Sequence, residues 1–393
     1  MTKNDRLFAG ACLGVCTYWV SGGALLAAAP GTIEDLGLRE WAGNIAVSVL
    51  PLAFGIAYLL RDRIAGRLGR PTMTRVGLVL TVVGALLCAG ATGALLMTVG
   101  RIVLGAAGAM VVSGTAALTR TTRLVAWVGG SLSIVAGGAV SSLLGWRWVF
   151  WLTIPAALAA LVLMNEANDV PQKRGPQPIL DRSLFARHAF SGAVMSVFLL
   201  AFTAVGSLYV VILYLQQGRG MPAFGAALLT LPMAAGLLAH LRVNGLTDRW
   251  DGARLPMVAC CALAIAGVLA VSFTGLGKVA YCFAVAIGLG AVGLGAGTLA
   301  ALSRDAAIDA VPGGRAADAS AYHLVAGSLG AAFGLAVASS VFAAIVTSST
   351  WTDTIAAASY GVLAAGVAAV LALLAVLALV PAPGFETEKE TRR

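Results

Sequence analysis

The chain has 393 residues, 59% of them hydrophobic and only 11% charged, with a mean hydropathy of +0.91. Soluble globular domains carry about 25% charged residues, so a water-soluble fold is excluded. The net charge of +9 is spread over many loops rather than gathered into one patch; this excludes a nucleic-acid footprint and suits attraction to anionic lipid.

Twelve apolar blocks reach, or nearly reach, the roughly 20 residues a helix needs to cross a bilayer. They lie at roughly 7–29, 43–60, 76–98, 99–118, 124–144, 148–164, 188–215, 223–240, 255–274, 279–302, 323–347 and 356–381. Alternate connections between them hold 21 of the 26 Lys and Arg residues, leaving Arg39, Arg101, Arg147, Arg219 and Lys278 on the other side. Short basic loops stay in the cytoplasm, so both termini are expected there. Lys3 and Arg6 ahead of the first block, with Ala27-Ala28-Ala29 near its end, imitate a signal peptide. The block is long and eleven more follow, so it reads as a retained first span.

Span 1 carries Tyr18, Trp19 and Ser21, and span 2 carries Asn44 and Ser48. Arg101 opens span 4, with Gly100 placed at the start of that helix. Arginine toward a membrane interior costs about 2.5–3.5 kcal/mol on insertion scales, and such residues face a bundle interior or an aqueous cavity. The competing reading is an arginine that snorkels to the outer surface. Span 5 holds Trp127, Ser131 and the pair Gly137-Gly138, and span 6 is entered through Trp146, Trp148 and Trp151, read as interface anchors.

The stretch 165–187 carries both charge signs and Pro171, Gly175, Pro176 and Pro178, as a connection between two six-span halves would. The expected domains are therefore 1–164, the linker 165–187, a second bundle 188–382 and a tail 383–393. Span 7 adds Thr203, Ser207, Tyr209 and Gln216. Aromatic and polar side chains with few fixed charges suit a cavity for an amphiphilic organic molecule. The spans lack carboxylates away from their ends, and His188, His240 and His323 all fall near the cytoplasmic side. All six cysteines lie inside spans and read as packing residues. No catalytic, metal-binding or phosphate-cradling spacing occurs, so the reading is of no enzyme, no cofactor and no metal. The 48 glycines cluster at helix-contact spacings, which suits close packing in lipid.

Four stretches resemble the major facilitator superfamily, in its drug/proton antiporter branch. Trp146 to Pro155 looks like that branch's G-W-R-W-x-F-x-x-N-x-P. Arg101 to Gly108 is similar to the span 4 pattern R-x-x-x-G-x-x-G. Val311 to Gly330 resembles the approach to span 11, and Tyr214-Leu215-Gln216 the L-Y-x-Q that ends span 7. The resemblance implies gating loops at Asp62, Arg67, Gly69 and Arg70 and, in the second half, at Asp248 and Arg249, with Gly137 and Gly138 at a span 5 hinge. The candidate substrate cavity, read from the aromatic and polar side chains of the spans together with Arg101, is lined by Tyr18, Trp19, Ser21, Asn44, Arg101, Trp127, Tyr209 and Gln216. The sequence departs from the family pattern at Gly66, where the loop carboxylate usually stands, at the missing proline before Gly137, and at Ser21, where an acid is usual.

The fold expected is an all-α membrane protein of twelve spans in two pseudo-symmetric six-helix bundles. By resemblance it exports a drug-like or secondary-metabolite molecule by alternating access, coupled to protons, as a monomer in the bacterial inner membrane. The alternatives are a facilitator or importer of a small metabolite, and a membrane receptor or scaffold that no longer transports.

Overall fold

The computed structural model describes residues 3–115, 119–165, 180–247, 252–346 and 351–381. Among them every regular element is helical. The helices are α1 (Lys3–Asp35), α2 (Glu40–Leu59), α3 (Arg61–Leu68), α4 (Arg70–Ala89), α5 (Ala94–Thr115), α6 (Thr119–Leu144) and α7 (Arg147–Leu163). Then come α8 (Arg182–Phe185), α9 (His188–Leu213) with a π-helical turn over Tyr214–Gly218, α10 (Ala223–Leu228) and α11 (Leu231–Thr247). The last four are α12 (Arg254–Ser272), α13 (Lys278–Asp309), α14 (Ala316–Ile345) and α15 (Trp351–Leu379).

Nine of these described helices are long and apolar enough to cross a membrane unaided: α1, α2, α4, α5, α9 with its π turn, α12, α13, α14 and α15. The fifth and sixth expected spans correspond to α6 and α7, which meet at 118° around Gly145. There φ is +93°, a left-handed conformation that glycine adopts at little cost. The eighth corresponds to the broken pair α10 and α11. The boundary between the third and fourth expected spans moves. Spans 3 and 4 were placed edge to edge at 98 and 99, but α4 ends at Ala89 and α5 begins at Ala94. Hydropathy misses this turn because Ala91 and Leu95-Leu96-Met97 are apolar, whereas Gly90 and Gly93 supply the break.

The chain divides into two compact units, one of Met1–Ile179 with Ile212–Leu231, the other of Leu180–Val211 with Pro232–Arg393. The last turn of the seventh span and the segment after it thus belong with the first unit. In that unit α4 packs on α5 and α7, α1 on α6 and α7, and α2 on α5, around Ala11, Val15, Leu78, Val111, Ala160 and Met164. In the second, α12 packs on α13 and α15 and α14 on α15, with Met257, Cys261, Ala264, Leu299, Ala372 and Val376 in the core.

Small residues set the helix spacing. A methyl built on Gly267 of α12 would stand 2.5 Å from the Gly288 carbonyl of α13, and one on Gly293 2.2 Å from the Met233 carbonyl of α11. Lipid offers no hydrophobic drive between helices, so such close backbone approach supplies the association. Leu95, Leu143, Val162 and Ile287 point outward, as residues meeting acyl chains do. The six cysteines are free thiols, Cys88, Cys260 and Cys261 buried and the others partly so.

Candidate functional site

Arg101 is buried inside the first unit. Because α5 starts at Ala94, Arg101 lies two turns inside the helix, about 10 Å from its beginning, and is 1% exposed. Snorkelling to the surface is therefore ruled out. Its Nη1 donates to the Ser21 carbonyl of α1 at 2.9 Å, and its Nε donates to the Ala46 carbonyl of α2 at 3.3 Å. One side chain thus ties three helices together.

The glycines of the same motif complete this junction on one stripe of α5. A methyl on Gly105 would lie 2.4 Å from the Leu50 carbonyl of α2, and one on Gly108 2.0 Å from the Tyr18 ring. The spacing R-x-x-x-G-x-x-G is physical: positions i, i+4 and i+7 share a helix face, and the two glycines let α2 and Tyr18 approach closely enough for Arg101 to reach the carbonyls. Above it, the Ser21 hydroxyl donates back to the Tyr18 carbonyl at 3.0 Å. Tyr18 stacks on Phe54 with centroids 4.7 Å apart, Phe54 on Tyr58 at 5.5 Å, and the Arg61 guanidinium stands 5.1 Å from the Tyr58 ring. This aromatic column leads from the buried arginine to the loop after α2. The sequence reading named Tyr18 but missed Phe54 and Tyr58; their i, i+4 spacing on α2 was the available signal.

Gly137 and Gly138 serve two different neighbours. A methyl on Gly137 would come within 2.3 Å of Ala24 Cα in α1, and one on Gly138 within 2.6 Å of Ala227 in α10. Two successive helix positions lie 100° apart, so the pair lets α6 touch α1 and α10 at once. Gln216 joins the same assembly, its Nε2 donating to the Ala27 carbonyl at 2.9 Å from within the π turn. Such turns are frequent at functional positions. Trp19 is packed against Gly130 of α6, and its Nε1–H is buried with no hydrogen-bond partner among the described residues. Asn44 is buried on α2, and its carbonyl accepts from Ser48 at 2.9 Å. Trp127 falls on α6, but its side chain lies outside the described residues, as does that of Ser131.

In the loop after α2, Asp62 pairs with its neighbour Arg61 at 2.9 Å. Gly69 closes α3 and opens α4 with φ +78°, the conformation that requires glycine at this point of the motif. Arg67 is exposed and Arg70 half-buried at the first position of α4, while a methyl on Gly66 would meet nothing within 4 Å. At the opposite end of the unit, Asp35 accepts from Trp146 Nε1 at 3.0 Å and pairs with Arg147, whose guanidinium lies 4.3 Å from the Trp146 ring. Trp146, expected as an interface anchor, is 5% exposed and buried in this clamp; Trp148 at 46% and Trp151 at 45% are the exposed ones.

In the second unit Tyr209 is fully buried on α9. His323 of α14 meets Ser303 of α13, Nε2 to Oγ 2.8 Å. The end of the linker is fastened here too: the Asp181 backbone N–H donates to the Tyr322 hydroxyl at 3.0 Å, Asp181 pairs with Arg315, and Arg187 donates to the Ala310 carbonyl at 3.0 Å. Hydrogen bonds from the Ser183 hydroxyl, from Arg315 and from the Ser183 backbone pull the Asp181 carboxyl down to about 2. Asp248 and Arg249, and the side chain of His240, lie outside the described residues. The structure thus gathers Tyr18, Ser21, Arg101, Gly137, Gly138 and Gln216 around α1, while Tyr209 belongs to the other unit.

Comparison with known proteins places the chain. Residues 11–335 match the sequence profile of the Major Facilitator Superfamily. The quinolone resistance protein NorB of Staphylococcus aureus strain MRSA252 is 27% identical over 422 residues, covering 89% of this chain and 91% of that protein. NorB of strain JH9 is 26% identical over 413 residues, covering 87% and 89%. Among solved structures, a bacterial homolog of the human lysosomal transporter Spinster superposes with a TM-score of 0.71 at 15% identity, over 97% of this chain and 98% of that one. The nucleoside transporter NupG superposes with a TM-score of 0.70 at 15% identity, over 96% and 100%; these two likenesses speak for the fold. The profile match over most of the chain, the helical architecture and the Arg101 junction lead to one assignment: the chain belongs to the Major Facilitator Superfamily and is an integral membrane transporter, not an enzyme.

Proposed function

We propose that this transporter exports an amphiphilic, drug-like organic molecule, quinolones among them, by alternating access coupled to proton influx. The observation that carries this reading is the 27% identity to a quinolone resistance protein across 89% of the chain. The first unit supports it chemically. Its buried lining joins stacked aromatic rings to the unpartnered indole N–H of Trp19, which suits a flat aromatic solute carrying a carbonyl acceptor. We further propose that the protein works as a monomer in the bacterial cell membrane with both termini cytoplasmic, on the strength of the 21-to-5 division of Lys and Arg between alternate loops.

The test is expression in an efflux-deficient bacterial host. Tolerance to norfloxacin should rise, and cell-associated norfloxacin fluorescence should fall until an uncoupler is added. Unchanged tolerance and accumulation, with the protein present in the membrane, would overturn the reading. A proton-independent facilitator is the second reading. It is favoured by Ser21, which is 1% exposed and occupies the position where an acid is usual. The uncoupler arm separates the two.

A further inference from the structure

Two basic side chains, and no acidic one, are buried in the interior of membrane-spanning helices among the described residues, Arg101 and His323. Charge inside a span is costly, and residues that carry it there commonly mark ion paths or proton relays. Arg101 stays charged under all ordinary conditions and is held by two carbonyls. An imidazole exchanges a proton near neutral pH. From this contrast and the local geometry we infer that the His323–Ser303 pair is a proton-binding site, and that its occupancy loosens the packing of α13 against α14. The inference rests on the proton-coupled reading above and assigns it a residue.

His323 lies two turns into α14 and is 7% exposed; Ser303 of α13 is fully buried. Their bond spans the two helices, Nε2 to Oγ 2.8 Å, and Nδ1 has no hydrogen-bond partner among the described residues. In the neutral ring, one nitrogen carries a hydrogen. With that hydrogen on Nδ1, the Ser303 hydroxyl donates to Nε2. Taking up a proton puts hydrogen on both nitrogens, so Nε2–H must donate to Ser303 Oγ and the serine hydrogen must turn away. The ring then holds a full positive charge.

Among the described residues no carboxylate forms an ion pair with the ring. On α13 the next residue is Arg304, itself positive, whose Nε donates to Ser320 at 3.2 Å and whose Nη1 lies 3.6 Å from Asp305. On α14, Asp318 faces Arg315 at 3.6 Å, and Asp181, at the start of the linker's docked end, pairs with the same arginine. The α9 helix, which packs on α14 where Phe198 meets Gly330, has no charged residue after His188, and α15 has none after Asp353. Tyr322, adjacent in sequence, presents only its hydroxyl, engaged by Asp181. A protonated His323 is therefore unfavourable in the packed arrangement and favoured where water reaches it. Proton occupancy and opening of this end of the second unit are then linked, since a ligand shifts a conformational equilibrium by its differential affinity for the two states.

The test uses the full-length protein in proteoliposomes with norfloxacin and an imposed pH gradient. His323→Gln keeps a hydrogen-bonding side chain opposite Ser303 but cannot titrate. We expect it to retain norfloxacin exchange while uphill accumulation drops to the level of wild type treated with an uncoupler. Its flux should also lose the pH dependence that wild type shows across about pH 5.5–7.5, the range in which an imidazole titrates. Ser303→Ala, which keeps the imidazole, should remain coupled. Wild-type accumulation in His323→Gln would overturn this assignment and leave coupled export standing. Wild type that never accumulates norfloxacin against its gradient would overturn both. Should His323→Gln and His323→Asn both fail to fold, or lose exchange along with accumulation, the imidazole is a packing element and the assignment falls.

Discussion

Replacing Arg101 gives the sharpest test of how the first unit is held together. Two hydrogen bonds from a charged donor are worth about 1.5–3 kcal/mol each, against about 2.5–3.5 kcal/mol to keep the charge inside a span. Removing both at once, as Arg101→Met does, nearly balances, because methionine fills much of the same volume. The expected net loss is about 0–3 kcal/mol. Arg101→Ala loses the same bonds and leaves a cavity, adding about 2–5 kcal/mol. Arg101→Lys keeps the buried charge but replaces a planar fork spanning the Ser21 and Ala46 carbonyls by a single point donor. Leaving a buried charge under-partnered costs about 3–5 kcal/mol. The chemically conservative substitution should therefore be the more damaging: in detergent micelles Arg101→Met is expected to melt above Arg101→Lys. If lysine melts higher, the two carbonyl bonds are not what holds the arginine. Norfloxacin transport adds a second readout, because packing alone does not require a charge there. Arg101→Met should fold and fail to transport, whereas full transport would reduce Arg101 to a tether.

Gly137→Ala, whose methyl would lie 2.3 Å from Ala24 Cα, should cost at least about 1–3 kcal/mol in a melting experiment. Gly66→Ala, with open space around it in α3, should be neutral or stabilise by about 0.5–1 kcal/mol; similar effects at both sites would discredit the helix spacing described. Asp181 has a carboxyl held below its unfolded value, so its contribution is present above about pH 4 and fades as pH falls through about 2. The melting difference between wild type and Asp181→Asn should follow that window, and a difference that persists unchanged at its acid end would refute the clamp. Cysteines replacing Glu34 or Asp353 should be labelled by an impermeant reagent from outside the cell, and cysteines in 165–187 only from inside; external labelling of the linker would overturn the topology.

The order of spans was legible because a bilayer imposes one requirement on every helix, length and apolarity. That requirement does not say where one helix ends when the turn itself is apolar, which is why the α4–α5 boundary was misplaced and a snorkelling Arg101 stayed open as the rival to a buried one. What stayed hidden was how the residue is held. Its partners are backbone carbonyls 80 and 55 residues away, and no side-chain pattern announces a carbonyl. Trp146 shows the same limit: interface tryptophans and clamped ones look alike in sequence, and only Asp35, 111 positions earlier, separates them. The motif glycines were more readable, since their spacing already implied a shared helix face; the structure adds what each glycine admits.

The absent acids can then be seen in a different light. A carboxylate at Ser21 would sit on the residue whose carbonyl Arg101 already holds, where an ion pair would keep it charged and poorly suited to release a proton. With serine there, the first unit keeps a fixed charge and no exchangeable proton at that junction. In the second unit His323, the proton-binding group proposed above, is buried against Ser303 with no ion-paired carboxylate among the described residues. If the proton site proposed at His323 holds, the labour is divided between the units, one holding a permanent charge in place and the other free to gain and lose one.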